Sequence, residues 1–272
     1  MEYSISEKRK IFRNLHLTGC FVLPNPWDAG SAKILEQLGF KALATTSSGY
    51  AWSCGKPDGL LSRDEVLAHL RYMVQSSNLP INADFENGFS DTIEGVNENV
   101  RMAIETGVAG ISIEDSTGNP EKPLRDIEDA VERIRAARIA INENGGDTFL
   151  IGRAENFFVG VHDLEDTIVR LKAYSEAGAD CLYAPGLKTR EQILAVVQAV
   201  APKPVNVLMT SDSELNLQEL ADLGVRRISV GGALARTAWD GFIKAATSII
   251  EQGAFNCFSD VISGQELNEK FR

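Results

Sequence analysis

Glu105-Thr106-Gly107-Val108-Ala109-Gly110-Ile111-Ser112-Ile113-Glu114-Asp115 reads as the end of a helix, a glycine turn, a short apolar strand and two carboxylates at the strand's exit. Glycine suits the point where a helix stops, because without a Cβ it adopts the left-handed conformation that closes the last turn. The same phrase recurs in Glu36-Gln37-Leu38-Gly39-Phe40 and Glu176-Ala177-Gly178-Ala179-Asp180, each just ahead of a β-rich run. Eight such runs are expected near Phe21 to Leu23, Ala42 to Thr45, Ile81 to Asp84, Gly110 to Ile113, Leu150 to Arg153, Cys181 to Tyr183, Val205 to Leu208 and Arg227 to Val230. Between them lie amphipathic segments such as Arg63 to Gln75 and Thr92 to Thr106, with apolar residues recurring at intervals of three and four. Repeated βα units imply a parallel sheet, and eight of them imply a (β/α)8 TIM-type barrel. One domain is expected over residues 1–272, with the barrel at about 18–246 and a C-terminal helical tail at about 247–272 used for packing or oligomer contacts.

The chain has 272 residues, 44% hydrophobic and 24% charged, enough for one well-filled core. A formal net charge of -11 with no basic block argues against a nucleic-acid surface, which needs clustered Lys and Arg. The first ten residues lack the apolar core of a signal peptide, and no later run approaches a membrane span, so a cytoplasmic protein with no membrane partner is expected. Cys20, Cys54, Cys181 and Cys257 are widely spaced and form no CxxC pair, which points to reduced thiols rather than disulfides or a zinc site.

Barrel enzymes place their sites at the C-terminal ends of the strands. By that rule the rim comprises Asn25-Pro26-Trp27-Asp28, Thr45 to Tyr50, Asp84 with Glu86, Glu114 with Asp115, Arg153 to Asn156, Tyr183 and Asn206. Side chains alternate along a strand, so Asp84 and Glu86 can face the same side. Two strands delivering carboxylates to one rim suit a hard cation such as Mg2+, which prefers oxygen ligands and keeps several waters. Arg153 at a barrel mouth calls for an anion, and its planar fork suits a carboxylate. The hydroxyl-rich turn from Thr45 to Gly49 can present backbone N–H groups as an anion nest. The set fits a small dicarboxylate or oxo acid chelated to Mg2+.

Plainer roles compete for some of these residues. Asp28, Asp91 and Asp115 can serve simply as helix N-caps. His16 and His69 sit in helical patterns and His162 follows a loop glycine, so none is expected to be catalytic. Cys54 has no evident histidine partner and is assigned to packing. Ser229-Val230-Gly231-Gly232-Ala233 can form the phosphate-binding turn of a sugar-phosphate barrel, although no matching glycine turn follows the seventh strand.

These residues resemble the isocitrate lyase/phosphoenolpyruvate mutase superfamily from Asn25-Pro26-Trp27-Asp28-Ala29-Gly30 to about Arg236, most specifically in Gly55-Lys56-Pro57-Asp58-Gly59, Ala83-Asp84-Phe85-Glu86-Asn87-Gly88-Phe89, Gly110 to Asp115 and Arg153-Ala154-Glu155. The resemblance implies that Asp84 ligates Mg2+ directly, with Glu86 in place of the more usual Asp, and that Asp58 and Glu114 act on the metal through water. Mn2+ is the alternative ion. It also implies that Arg153 holds the oxo-carboxylate end of the substrate, that Thr46, Ser47 and Ser48 cradle a carboxylate, and that Asn206 contributes to substrate binding. Lyases of the superfamily carry a catalytic cysteine in a loop soon after the Glu-Asp pair, whereas this chain reads Ser116-Thr117-Gly118-Asn119-Pro120-Glu121-Lys122-Pro123. The phosphonate branch has a different Lys-x-Asn loop, and a histidine after the sixth strand where this chain has Tyr183-Ala184-Pro185-Gly186. Asn119 and Lys122 are left as candidates for a shortened gate. The chain therefore resembles uncharacterised or oxaloacetate-type members. The expected activity is Mg-dependent carbon-carbon cleavage or decarboxylation of a small α-oxo or 2-hydroxy dicarboxylic acid through an enolate. A phosphonate-active enzyme is the alternative, and a barrel that binds oxo acids without turning them over is a third. A homodimer or homotetramer with exchanged C-terminal helices is the expected assembly.

Overall fold

The computed structural model describes residues 3–272. Eight parallel strands form one sheet: β1 (Phe21–Leu23), β2 (Leu43–Ala44), β3 (Ile81–Asp84), β4 (Gly110–Glu114), β5 (Phe149–Arg153), β6 (Cys181–Tyr183), β7 (Val205–Leu208) and β8 (Arg227–Ser229). The strands pair in the order β1-β8-β7-β6-β5-β4-β3-β2, so the sheet curls until its two edges meet. There the barrel is closed by one backbone bond, Ala44 N–H to Pro24 C=O at 3.0 Å. Asn25 reinforces the seam: its Nδ2 donates to Thr45 O at 3.0 Å, and its Oδ1 accepts from the N–H groups of Val230 and Gly231, both at 2.9 Å.

Around the sheet run α1 (Ile5–Leu15), α2 (Ala29–Gln37), α3 (Ser47–Ser53), α4 (Arg63–Ser76), α5 (Ile93–Glu105), α6 (Ile127–Glu143), α7 (Leu164–Glu176), α8 (Arg190–Val200), α9 (Leu217–Asp222), α10 (Ala233–Gln252) and α11 (Gly264–Lys270). Side-chain caps start most of them: Ser4, Asp28, Ser62, Thr92, Asp163, Thr189 and Asn216 each accept a backbone N–H of the first turn. Helix ends fall where the glycines predict, with Gly39, Gly107 and Gly178 at φ of 92°, 93° and 110°. Helix α1 plugs the N-terminal end of the barrel, where Phe12 is fully buried against the Phe149 ring, 5.8 Å between centroids. That end is shut by aromatic packing, which leaves the opposite end for chemistry. Helix α10 runs unbroken from Ala233 to Gln252, joining barrel and tail, and buries only Ala235.

The strands lie where the apolar runs place them, to within a residue or two, because a parallel strand covered on both faces reads as continuous hydrophobicity. One segment differs. The Thr45 to Gly49 stretch is not a nest-forming turn but the start of α3, with Thr46 Oγ1 accepting the Gly49 N–H at 3.2 Å.

Candidate active site

At the C-terminal ends of the strands a cavity of about 100 Å³ opens, lined by Thr46, Ser47, Ser48, Asp58, Asp84 and Arg153 among others. Six of the expected site residues therefore face one space. Arg153, at the end of β5, organises it. Its Nη1 lies 3.2 Å from Asp84 Oδ1 and 3.3 Å from Glu114 Oε2, while Nε is held by Glu155. Burial opposes the guanidinium charge, yet Glu155, Glu114 and Asp84 override it and hold Arg153 charged well beyond the ordinary arginine range. Among the described residues the contacts of Arg153 with these acids engage Nε and Nη1. The rings of Tyr183 and Phe158 flank the same group at 5.1 and 5.9 Å.

Asp84, the last residue of β3, takes the Ser47 N–H on Oδ2 at 3.1 Å, which ties α3 to the site. Glu86 reaches the cluster by another route than strand alternation. The strand ends at Asp84, and Glu86 sits in the left-handed region at φ 45°. Its Oε1 is buried without a hydrogen-bond partner. Burial, then the charges of Asp84 and Asp58, push its carboxyl up to about 8. Asp58 lies on the exposed loop after α3. Desolvation at its carboxyl and then Asp84 push it up as well, against a bond from Ser47. Glu114 is driven well above the carboxylate range by burial, which outweighs Arg153. Glu86 and Glu114 are not among the residues lining the cavity: Glu86 feels the charges of Asp84, Asp58 and Arg153, and Glu114 meets Arg153 Nη1.

Among the described residues no three carboxylate, histidine or cysteine side chains converge closely enough to form a complete cation cage. The donor set nonetheless fits a hydrated divalent cation. It is all oxygen, and the unpartnered Glu86 Oε1 is a buried acceptor that none of the described residues satisfies.

Asn206 stands apart from the cavity. It is 1% exposed within the barrel, donating to Ser229 Oγ and accepting from Arg227 Nε, both at 2.9 Å. Asp115 is a buried hub rather than a helix cap: it accepts Tyr174 Oη at 2.6 Å, Arg170 Nη1 at 3.0 Å and the Glu155 N–H at 2.8 Å, fixing the segment that carries Glu155. Asp28 does cap α2, whereas Thr92 rather than Asp91 caps α5. His16 and His69 are buried and pushed down to about 3 and 4 by desolvation, so both stay neutral. Cys54, assigned to packing, is instead exposed at the end of α3. The Ser229 to Ala233 turn offers no free phosphate cradle, because Asn25 already takes the Val230 and Gly231 N–H groups. The Ser116 to Pro123 loop folds on itself, bridged between Ser116 and Leu124, with Lys122 paired to Asp126 at 2.7 Å, and none of its residues lines the cavity.

Comparison with known proteins agrees with this fold. The family model described as phosphoenolpyruvate phosphomutase matches residues 12–250. A provisionally assigned lyase/mutase from Burkholderia cenocepacia J2315 has a solved structure that is 46% identical, with a TM-score of 0.95 over 98% of this chain and 97% of that one. Oxaloacetate decarboxylase of Paraburkholderia xenovorans (strain LB400) is 29% identical over 237 residues, 84% of this chain and 76% of that protein. The structure of oxaloacetate acetylhydrolase in complex with the product oxalate is 25% identical, with a TM-score of 0.87 over 97% of this chain and 94% of that one. With a (β/α)8 barrel, an arginine ringed by carboxylates at the strand ends and a family match across nearly its whole length, this chain belongs to the phosphoenolpyruvate phosphomutase family of the isocitrate lyase/phosphoenolpyruvate mutase superfamily of enzymes.

Proposed function

We propose that the protein is a Mg2+-dependent enzyme that cleaves a carbon-carbon bond in, or decarboxylates, a small α-oxo or 2-hydroxy dicarboxylic acid through an enolate. The observation that carries the reading is Glu86, a half-buried carboxyl with an unpartnered oxygen beside Asp84 and Asp58, in a cluster facing Arg153. The superfamily is generally divalent-metal dependent. Asp84 and Glu86 would hold the ion directly, Asp58 and Glu114 through water, with Mn2+ the alternative. Bound there, the cation would supply Lewis-acid stabilisation to a developing oxyanion.

The chain's own residues supply the rest. In an oxo acid such as oxaloacetate, breaking the bond between C3 and its carboxylate releases CO2 and leaves the electron pair on C3 as the enolate of the C2 carbonyl, whose oxygen turns negative. Arg153, its side chain largely buried, meets that charge where a fixed dipole or charge acts more strongly than in water. Thr46, Ser47 and Ser48 line the wall where a carboxylate sits. The loop bears no thiol, so the proton that quenches the enolate comes from another donor. The similarity to oxaloacetate decarboxylase and oxaloacetate acetylhydrolase supports oxaloacetate as the first compound to try. Pyruvate release from oxaloacetate, run beside phosphorus-31 NMR of the enzyme with phosphonopyruvate, tests the reading. Turnover of phosphonopyruvate alone would transfer it to phosphonate chemistry, and binding of oxo acids without any turnover would mark a non-catalytic barrel.

The Glu86 carboxyl makes a pH prediction. Between its ordinary value of 4.5 and about 8 the folded protein keeps a proton that the unfolded chain releases. Stability of the metal-free protein therefore falls as pH rises through that window. A divalent cation must displace the same proton, so its stabilisation grows with pH. Melting temperatures with Mg2+ or EDTA at about pH 6 and about pH 8.5 check this. Equal Mg2+ effects at both would remove Glu86 from the site.

Assembly is part of the same proposal. Phe242, Ile243 and Ile250 are exposed on α10 at 64%, 56% and 84%, a face that a second copy would cover in a homodimer or homotetramer with exchanged helices. Light scattering should give a mass of two or four chains, and Phe242→Asp combined with Ile250→Asp should reduce it. A monomeric native protein would end this part of the reading. Among the described residues no helix is long and apolar enough to cross a membrane.

A further inference from the structure

Arg227 opens β8 and runs into the barrel interior, where the residue is 2% exposed. Its Nε donates to Asn206 Oδ1 at 2.9 Å, and Asn206 is fixed in turn by Ser229. Its Nη1 is buried with no hydrogen-bond partner. No carboxylate among the described residues pairs with it. The carboxylate acting on it most, Asp84, is already shared between the Ser47 N–H and Arg153. The other titratable groups that face it bring no negative charge: Cys181 and Tyr183 are pushed up to about 11 and 12 by burial, and His16 is neutral. Yet Arg227 lines the same cavity as Asp84, Ser47 and Arg153.

A buried guanidinium without a counter-ion costs stability, and a fold carries one when an arriving anion completes it. We propose that Arg227 receives a carboxylate group of the bound acid at the floor of the cavity through Nη1, and so selects small planar carboxylates of the oxalate and oxaloacetate type. The inference rests on the cavity's being the substrate site, and it deepens that reading by assigning a second anion receptor. The two arginines differ in what they have left to offer. Arg153 is ringed by three carboxylates, whereas the charge of Arg227 has no ion-pair partner.

Calorimetric titration of oxalate into the full chain, with and without Mg2+, tests the assignment on the native protein, Arg227→Met and Arg227→Lys, alongside the melting temperature of each without ligand. Methionine keeps part of the aliphatic stem and removes the charge. The expected result is a ligand-free melting temperature equal to or above the native one, an oxalate affinity lower by about 10- to 100-fold, and partial recovery with lysine. A methionine variant that melts lower and binds oxalate as well as native protein would overturn the proposal, since Arg227 would then be structural. If the variant both melts lower and binds poorly, lysine decides: affinity that returns with the charge supports the role, and affinity that does not return refutes it. Native protein that binds oxalate while both variants bind equally would remove Arg227 alone. Native protein that binds no oxalate, pyruvate or oxaloacetate with or without Mg2+ would bring down the carboxylate site and the proposal with it.

Discussion

Asp84→Asn should lower oxaloacetate turnover by about a thousandfold while the barrel stays folded. The size of the effect follows from what the carboxylate does. It is the one acid that lies on the cavity wall, bonds Arg153 and anchors the Ser47 N–H of α3. Loss of one preorganised group facing a developing charge typically costs about 10² to 10³ in rate, and loss of a cation ligand adds to that. Asparagine is nearly isosteric, so Oδ1 can still accept from Arg153 or Ser47 and the packing is kept. Oxalate with Mg2+ provides a second measure, because its two oxygens imitate an enolate chelating a metal. Together they should raise the native melting temperature more than the sum of their separate effects, and the excess should vanish in the variant. Near-normal turnover with unchanged Mg2+ dependence would show that Asp84 is a structural partner of Arg153 and nothing more.

The sequence made the barrel legible because its strands are buried on both faces and its helices end at glycines, two signals that are local and repeated. What it hid was contact made across the barrel. Asp115 looks like a cap when read beside Ser116, and its true partners, Arg170 and Tyr174, are 55 and 59 positions away. Arg227 looks like a polar residue starting a strand, which on most barrels would meet solvent. Here α1 plugs that end, and the side chain is turned inward to Asn206. Asn25 reads as one residue of the rim, and nothing beside it in the chain shows that it seams the barrel edges and occupies the N–H groups that a phosphate turn would need. The Thr45 to Gly49 stretch reads as a turn because the helix it opens, Ser47–Ser53, has seven residues, too few to show a helical period, and only the Thr46 cap marks its start. The acids were legible as a group, since two strands deliver carboxylates to one rim. Which of them line the cavity was not, because a left-handed turn at Glu86 breaks the alternation that strand reading assumes.

Arg153 allows its catalytic and structural contributions to be separated. Arg153→Ala should destabilise the protein by about 3 to 5 kcal/mol, because Asp84, Glu114 and Glu155 would be left crowded together without their cation. Arg153→Lys should keep most of that stability, since an ammonium still balances the cluster, yet lower kcat/KM by about a hundredfold. The reason is geometric. The guanidinium engages Glu155 through Nε and Asp84 and Glu114 through Nη1, and on the proposed reading Nη2 meets the substrate, whereas lysine has one nitrogen for all of these. Spent on the carboxylates, that nitrogen has no fixed direction in which to meet an enolate oxygen. Melting curves and steady-state kinetics on the two variants distinguish the possibilities: a lysine variant with native kcat/KM would mean that Arg153 neutralises its acidic neighbours without touching substrate, and the anion would then be held by Arg227 and the Ser47 segment alone.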